Sequence, residues 1–379
     1  MIINTFRLIE SLPIVSEAYF PTFWCWESRI QSIVVACVRD LRLSRIAYNR
    51  QMFTFKDGGE VGLDWAHPRA KDEDMETPIL LILPGITGSS QSDYNKALVR
   101  VVKAEVGARV CVFNFRGRGG VKVKNPRTYC AANSEDLSEV LDCINKTYPK
   151  APVIALGISL GGILLGNYLA EKGESARGKL LAAILISVCF DTFEGTKSLE
   201  TPGLNRMLNR HLAVTLVNSI KETKEHFDNN KMWNLEQVFS STTVREFDSR
   251  FTSKMFGYKD VMEYYADCRL YDKLGKIKVP TFAINAEDDP FQPEDSIPKV
   301  QAETSSHVAI LTTKYGGHVG WLEGWVPTGK YWPLIGQHCL LILASHWSGY
   351  FWSDRLVSQF LQAAFSNKDL LVNDKMVIW

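Results

Sequence analysis

The stretch Val153-Ile154-Ala155-Leu156-Gly157-Ile158-Ser159-Leu160-Gly161-Gly162 constrains this chain more than any other. An apolar run reads as a buried strand. It enters a serine bracketed by glycines and continues into an apolar helix from Ile163 to Ala170. The pattern Gly157-Ile158-Ser159-Leu160-Gly161 fits a nucleophile elbow, a strand-to-helix turn that exposes the serine hydroxyl at the top of a sheet. Glycine is needed because a β-carbon on either side of so tight a turn would strike the neighbouring strand or helix. The N–H after the serine and the start of the helix both favour developing negative charge. Five residues alone are a pattern that chance supplies; the strand before them and the helix after them give it weight.

The rest of the chain supplies the setting that such an elbow needs. Short apolar runs alternate with amphipathic stretches, which predicts a mostly parallel central sheet flanked by helices, an α/β fold. Strands are expected at 63–65, 79–83, 109–115, 153–157, 181–188, 281–285 and 308–312, and helices at 92–106, 134–148, 161–172 and 353–365. Ser134 is the expected N-cap of the second helix, ahead of Glu135 and Asp136. Between Phe190 and Lys276 the alternation breaks into a helical, charged and aromatic segment. Its place between two central strands predicts a helical cap, about 190–276, serving as a lid or acyl-chain pocket.

Composition excludes several partners. Net charge is +1 with 22% charged residues, so no global field recruits nucleic acid. The clusters Arg116-Gly117-Arg118 and Lys122-Val123-Lys124 are too short to change that and read as solvated loop. The eight cysteines show no C-x-x-C pair and no metal-ligand spacing with the seven histidines, so no metal is expected, and a reducing compartment fits. No run reaches the ~18 apolar residues of a membrane-spanning helix. The N-terminus lacks a signal-peptide pattern, yet it carries Tyr19, Phe20, Phe23, Trp24 and Trp26. These are expected to pack onto the domain, with contact to a lipid interface as the alternative.

A serine hydroxyl becomes a nucleophile when a base takes its proton and a third group orients the base. Both partners follow in order. After the strand near 281–285 comes Ala286-Glu287-Asp288-Asp289-Pro290, which offers Asp289 as the acid, with Asp288 as its rival. After the strand near 308–312 comes Tyr315-Gly316-Gly317-His318-Val319-Gly320, which offers His318 as the base on a loop whose glycines let the imidazole reach over the serine. An oxyanion loop is expected at Leu83-Pro84-Gly85-Ile86-Thr87-Gly88, with Leu160 N–H as one donor and Ile86 or Thr87 N–H as the other. His67 and Asp72 match an H-x-x-x-x-D acyltransferase pattern, but only two residues carry it and it is set aside.

With these residues in place the chain resembles the AB hydrolase 4 family, the YheT-like group of α/β-hydrolases, and within it the α/β-hydrolase domain-containing proteins 1 and 3. The likeness is carried by Ser16-Glu17-Ala18-Tyr19-Phe20-Pro21-Thr22-Phe23-Trp24-Cys25-Trp26-Glu27, by Pro126-Arg127-Thr128-Tyr129-Cys130, by Arg245-Glu246-Phe247-Asp248, by Met255-Phe256-Gly257-Tyr258 and by Gly316-Gly317-His318-Val319-Gly320-Trp321-Leu322-Glu323-Gly324. It implies an α/β-hydrolase fold, a Ser159, Asp289 and His318 triad with no cofactor, and hydrolysis of lipid esters by a phospholipase or acylglycerol lipase at a membrane surface. A thioesterase or acyltransferase using the same triad, or a non-catalytic lipid- or hormone-binding protein with the same fold, are the alternatives. The resemblance divides the chain into a family-specific segment at 1–50, packing on the core, and a hydrolase domain at 51–379. It also implies a membrane anchor ahead of Trp24-Cys25-Trp26, which this chain begins too late to contain. A stretch at 332–352 departs from the family pattern and reads either as an aberrant gene model or splice form, or as an interfacial segment.

Overall fold

The computed structural model describes residues 2–66, 75–228, 231–323 and 351–372. The H-x-x-x-x-D pattern at His67 and nearly all of the 332–352 stretch lie outside these residues. The strands are β1 (Asn49–Thr54), β2 (Glu60–Trp65), β3 (Ile79–Leu83), β4 (Arg109–Asn114), β5 (Val153–Ile158), β6 (Ala182–Ile186), β7 (Thr281–Ala286) and β8 (Val308–Thr313). They form one sheet in the order β1-β2-β4-β3-β5-β6-β7-β8. β2 pairs antiparallel with β1 and β4, and the remaining pairs are parallel.

The central strands are apolar without interruption because both faces of the sheet are covered. On β3, Ile79, Leu81 and Leu83 join one core with Val140, Leu165 and Tyr168. Leu80 and Ile82 join the other, with Leu98, Leu356 and Phe360. The strand period of two thus divides one continuous run between two helical layers. The helices Glu135–Thr147 and Leu160–Lys172 cover the first face, and Asp93–Val101 and Trp352–Ser366 cover the second.

Most expected strands occur with ends displaced by a residue or two, and 63–65 is the tail of the longer β2. β1 was not expected: Asn-Arg-Gln-Met-Phe-Thr is an edge strand that is mostly exposed, so no apolar run marks it. The helix expected at 92–106 is α-helical over Asp93–Val101, then widens into a π turn over Val102–Val106 that ends at Gly107 with φ +71°. Ser134 occupies the N-cap position but its hydroxyl does not cap. It donates to Glu171 at 2.7 Å, and Asn133 accepts from the Glu135 N–H at 3.2 Å instead.

The N-terminal segment forms the helices Ile2–Glu10 and Ser28–Arg42. The expected packing of its aromatics is corrected by the structure: Phe20 is 74%, Phe23 63%, Trp24 48% and Trp26 61% exposed. The segment is held by other groups. Tyr19 packs on Trp352 with ring centroids 5.5 Å apart, while Cys25 and Val35 bury against Leu322. Residues 190–276 contain the helices Thr192–Leu199, Leu204–Lys221 and Val261–Cys268, and part of the segment has its own small core around Phe227, Trp233 and Phe251.

Candidate active site

Strand register brings the chemistry together. Leu83 pairs with Gly157, so the loop after β3 begins beside the end of β5. Ala286 pairs with Thr313, so the loops after β7 and β8 also leave the sheet side by side. All four loops open at the carboxyl edge of the parallel strands, where open α/β sheets place their ligands.

At the end of β5 the chain turns at Ser159, with φ +53° and ψ −119°, and enters the helix Leu160–Lys172. A β-carbon on Gly157 would lie 2.6 Å from the Gly161 carbonyl oxygen, and one on Gly161 would lie 2.3 Å from the Leu83 carbonyl oxygen. No side chain fits either place. Ser159 is one of five non-glycine residues with positive φ among the described residues, with Thr87, Ser187, Val319 and Trp321. All five follow strand ends at this edge, each costing roughly 1–3 kcal/mol that the surrounding packing must offset.

The structure brings Ser159, His318 and Asp289 into one line. His318 Nε2 lies 2.9 Å from Ser159 Oγ, and its Nδ1 lies 2.8 Å from Asp289 Oδ2. Asp289 is buried, and the Phe291 ring stacks on the imidazole with centroids 4.1 Å apart. Asp288 faces elsewhere: its Oδ1 accepts the Gly317 N–H at 2.8 Å. Burial, reinforced by the Asp289 charge, pushes the Asp288 carboxyl up to about 6 against the pull of that backbone bond.

The two candidate amides after β3 also differ. Thr87 N–H donates to the Tyr129 hydroxyl at 3.1 Å and is engaged there. Ile86 lines the same cavity as Ser159 and Leu160. Leu160 is the first residue of its helix, so its N–H has no partner within the helix. Of the two amides after β3, Thr87 N–H is taken up by Tyr129, while Ile86 lines the cavity beside Ser159 and Leu160.

The cavity holds about 730 Å³ and is mostly apolar in lining. Its walls include Leu199, Leu208, Leu212, Leu216 and Phe247 from the 190–276 segment, and Ile33 and Ala36 from the helix Ser28–Arg42. A carboxyl also faces it. Asp248 accepts from the Tyr265 hydroxyl at 3.1 Å, and burial raises it to about 6 although hydrogen bonds from Thr252 and Tyr265 pull the other way. Sequence reasoning gave Asp248 no role, since a single acid in a helical stretch looks like solvated surface.

The N-terminal helix contributes more than cover. Ser32 Oγ accepts the His318 N–H at 2.8 Å while donating to the Ser28 carbonyl at 2.8 Å. Buried Arg39 donates to the Val319 carbonyl at 3.0 Å and lies 3.5 Å from Asp354. Gly317 serves this contact: a β-carbon there, at φ +58°, would come within 2.4 Å of the Ser28 carbonyl oxygen, while one on Gly316 would lie 2.6 Å from Trp321 Nε1. Both glycines allow close packing of the loop, a need separate from any freedom of the imidazole. No pattern in the sequence links residues so far apart.

The family profile described as alpha/beta hydrolase fold matches residues 78–324. The phospholipase ABHD3 of Mus musculus is 37% identical over 372 residues, spanning 97% of this chain and 83% of its own length. The putative esterase YheT of Escherichia coli K12 is 31% identical over 274 residues, spanning 72% of this chain and 78% of its own. The monoacylglycerol lipase of Saccharomyces cerevisiae is 31% identical over 260 residues, spanning 68% of this chain and 57% of its own.

Proposed function

Because the chain belongs to the α/β hydrolase family, together with YheT-like relatives, we propose that it is a serine carboxylic-ester hydrolase acting on lipids, as a phospholipase or acylglycerol lipase. The observation that carries this reading is the unbroken line from Asp289 through His318 to Ser159, with donor–acceptor distances of 2.8 and 2.9 Å, opening into an apolar cavity.

In this reading Ser159 Oγ attacks the acyl carbonyl as His318 Nε2 takes its proton, and Asp289 holds the imidazole in the tautomer that accepts it. The Ile86 and Leu160 amides receive the negative charge on the carbonyl oxygen. His318 then returns the proton to the departing alcohol, leaving an ester between Ser159 and the acyl group. Water, deprotonated by His318, releases the fatty acid. No step calls for a metal or an organic cofactor. The cavity supplies what a long acyl chain needs, since the chain must leave water as its ester reaches the serine.

A membrane surface is the proposed source of substrate. Phe20, Phe23, Trp24 and Trp26 stand exposed just ahead of the helix that lines the cavity, and tryptophan favours the level of lipid headgroups. Among the described residues no helix is long and apolar enough to cross a membrane.

Replacing Ser159→Ala is expected to abolish both ester hydrolysis and labelling by a fluorophosphonate probe. Wild-type protein that neither reacts with the probe nor cleaves any short-chain ester would sink the reading.

A further inference from the structure

Two arginines two positions apart line the cavity, and their charges are met differently. Arg116 is neutralised by the protein. Its Nε and Nη2 donate to the two oxygens of Asp136 at 2.7 Å each, and its Nη1 donates to Asp57 at 2.7 Å. Arg118 is half-buried and rises from a turn in which Gly117, Gly119 and Gly120 all have positive φ. Its Nη2 donates to the Thr87 carbonyl, and its Nε is buried without a partner. Among the described residues no carboxylate forms an ion pair with it.

The position matters as much as the missing counter-charge. The Thr87 carbonyl that anchors Arg118 belongs to the residue after Ile86, whose amide receives the oxyanion in the proposed reaction. The Arg118 charge also acts on the Tyr129 hydroxyl, which holds the Thr87 N–H. A permanent cation therefore stands in an apolar cavity beside the segment that faces Ser159. Asp248 lines the same cavity, but its carboxyl accepts from Tyr265 and forms no ion pair with Arg118. A guanidinium stripped of part of its water with no anion in contact is unfavourable, and a ligand anion restores the balance.

We propose that Arg118 is a specificity residue that receives the phosphate of a glycerophospholipid whose acyl carbonyl lies at Ser159. The proposal rests on the serine-hydrolase reading and narrows it from lipid esters to phosphate-bearing ones. A phosphodiester is only a few bonds from the ester carbonyls of the same glycerol, so one molecule reaches both groups. Its oxygens accept the fixed fork of guanidinium N–H donors, which stays charged at every working pH. A neutral acylglycerol offers no such acceptor. Arg116 cannot substitute, because its donors are already committed.

The test compares kcat/KM for a short-chain phosphatidylcholine and for a diacylglycerol of the same chain length, in wild type, Arg118→Gln and Arg118→Lys. The neutral ester controls for folding and for the triad within each variant. The phospholipid-to-diacylglycerol ratio is expected to fall by about tenfold to a hundredfold in Arg118→Gln, the loss typical of one charge-assisted contact, and to recover in part in Arg118→Lys. A ratio that stays at the wild-type value, whether both activities hold or fall together, overturns the proposal. Inorganic phosphate and glycerophosphocholine are then compared as competitors of diacylglycerol turnover. Stronger inhibition by glycerophosphocholine, lost in Arg118→Gln, supports a lipid headgroup; equal inhibition by inorganic phosphate assigns the site to free phosphate and overturns the lipid assignment. Wild-type protein inactive on every ester refutes the hydrolase reading itself, a result separate from any change in ratio.

Discussion

Asp288 and Asp289 are neighbours in the chain but face different partners. Asp289 meets the His318 imidazole through both oxygens, at 2.8 and 3.1 Å, while Asp288 fastens the Gly317 amide. Asp289→Asn leaves the imidazole in the wrong tautomer and is expected to lower kcat by roughly 10³–10⁴. Asp288→Asn keeps an oxygen for Gly317 and is expected to cost less than about tenfold. Steady-state kinetics on a soluble ester decides, and equal losses would contradict the assignment. Asp248 carries a different expectation. Burial raises its carboxyl to about 6 in the folded protein, whereas in the unfolded chain it keeps the ordinary aspartate value of about 3.9. The folded protein therefore holds a proton that the unfolded chain has released, so this group's stability is full below pH ~4 and is lost as pH rises through about 6. Asp248→Asn, whose amide oxygen still accepts from Tyr265, removes that loss. Urea unfolding at pH 4 and pH 7 is expected to show the variant gaining about 2 kcal/mol on wild type between the two. A constant difference would show that the carboxyl is not so perturbed.

At the scale of elements, the helix Ser28–Arg42 is the part that joins catalysis to the N-terminal segment. It meets the His318 loop through Ser32, through Arg39 and through Gln31, whose side-chain oxygen accepts the Leu322 N–H at 3.1 Å. Ser32→Ala removes the acceptor of the His318 amide and is expected to lower kcat about tenfold with little change in melting temperature, consistent with one hydrogen bond. A lower melting temperature with kcat unchanged would assign Ser32 a purely structural role. This helix also marks where the sequence stops being legible. β3, β5, β6 and β7 are apolar runs that name themselves, and the loops carrying Ser159, Asp289 and His318 follow from strand, turn and order. Ser32 and Arg39 act through contacts with residues some 280 positions away, and nothing local in either residue reports it. β1 was hidden for the opposite reason, because an exposed edge strand needs no apolar pattern.

For the whole molecule, the sheet gathers four loops at one edge, and the N-terminal helix and the 190–276 segment wall a cavity above them. The exposed Phe20, Phe23 and Trp26 come just ahead, in the chain, of the helix Ser28–Arg42, which forms one of those walls. Sequence reasoning expected them to pack, because large apolar side chains usually do, and a sequence does not show when a surface is kept apolar for a partner. Replacing all three by serine is expected to weaken binding to phosphatidylcholine liposomes by about tenfold or more, given the transfer energy of each ring. Unchanged sedimentation with liposomes would remove the membrane from the account. The central claim is that acyl transfer passes through Ser159. Rapid mixing of the protein with a p-nitrophenyl ester, followed by acid quench and mass spectrometry, tests it most directly. The account predicts a burst of p-nitrophenol approaching one equivalent, and an acyl adduct on the peptide that contains Ser159. Turnover without any adduct, or an adduct on another residue that persists in Ser159→Ala, would contradict it.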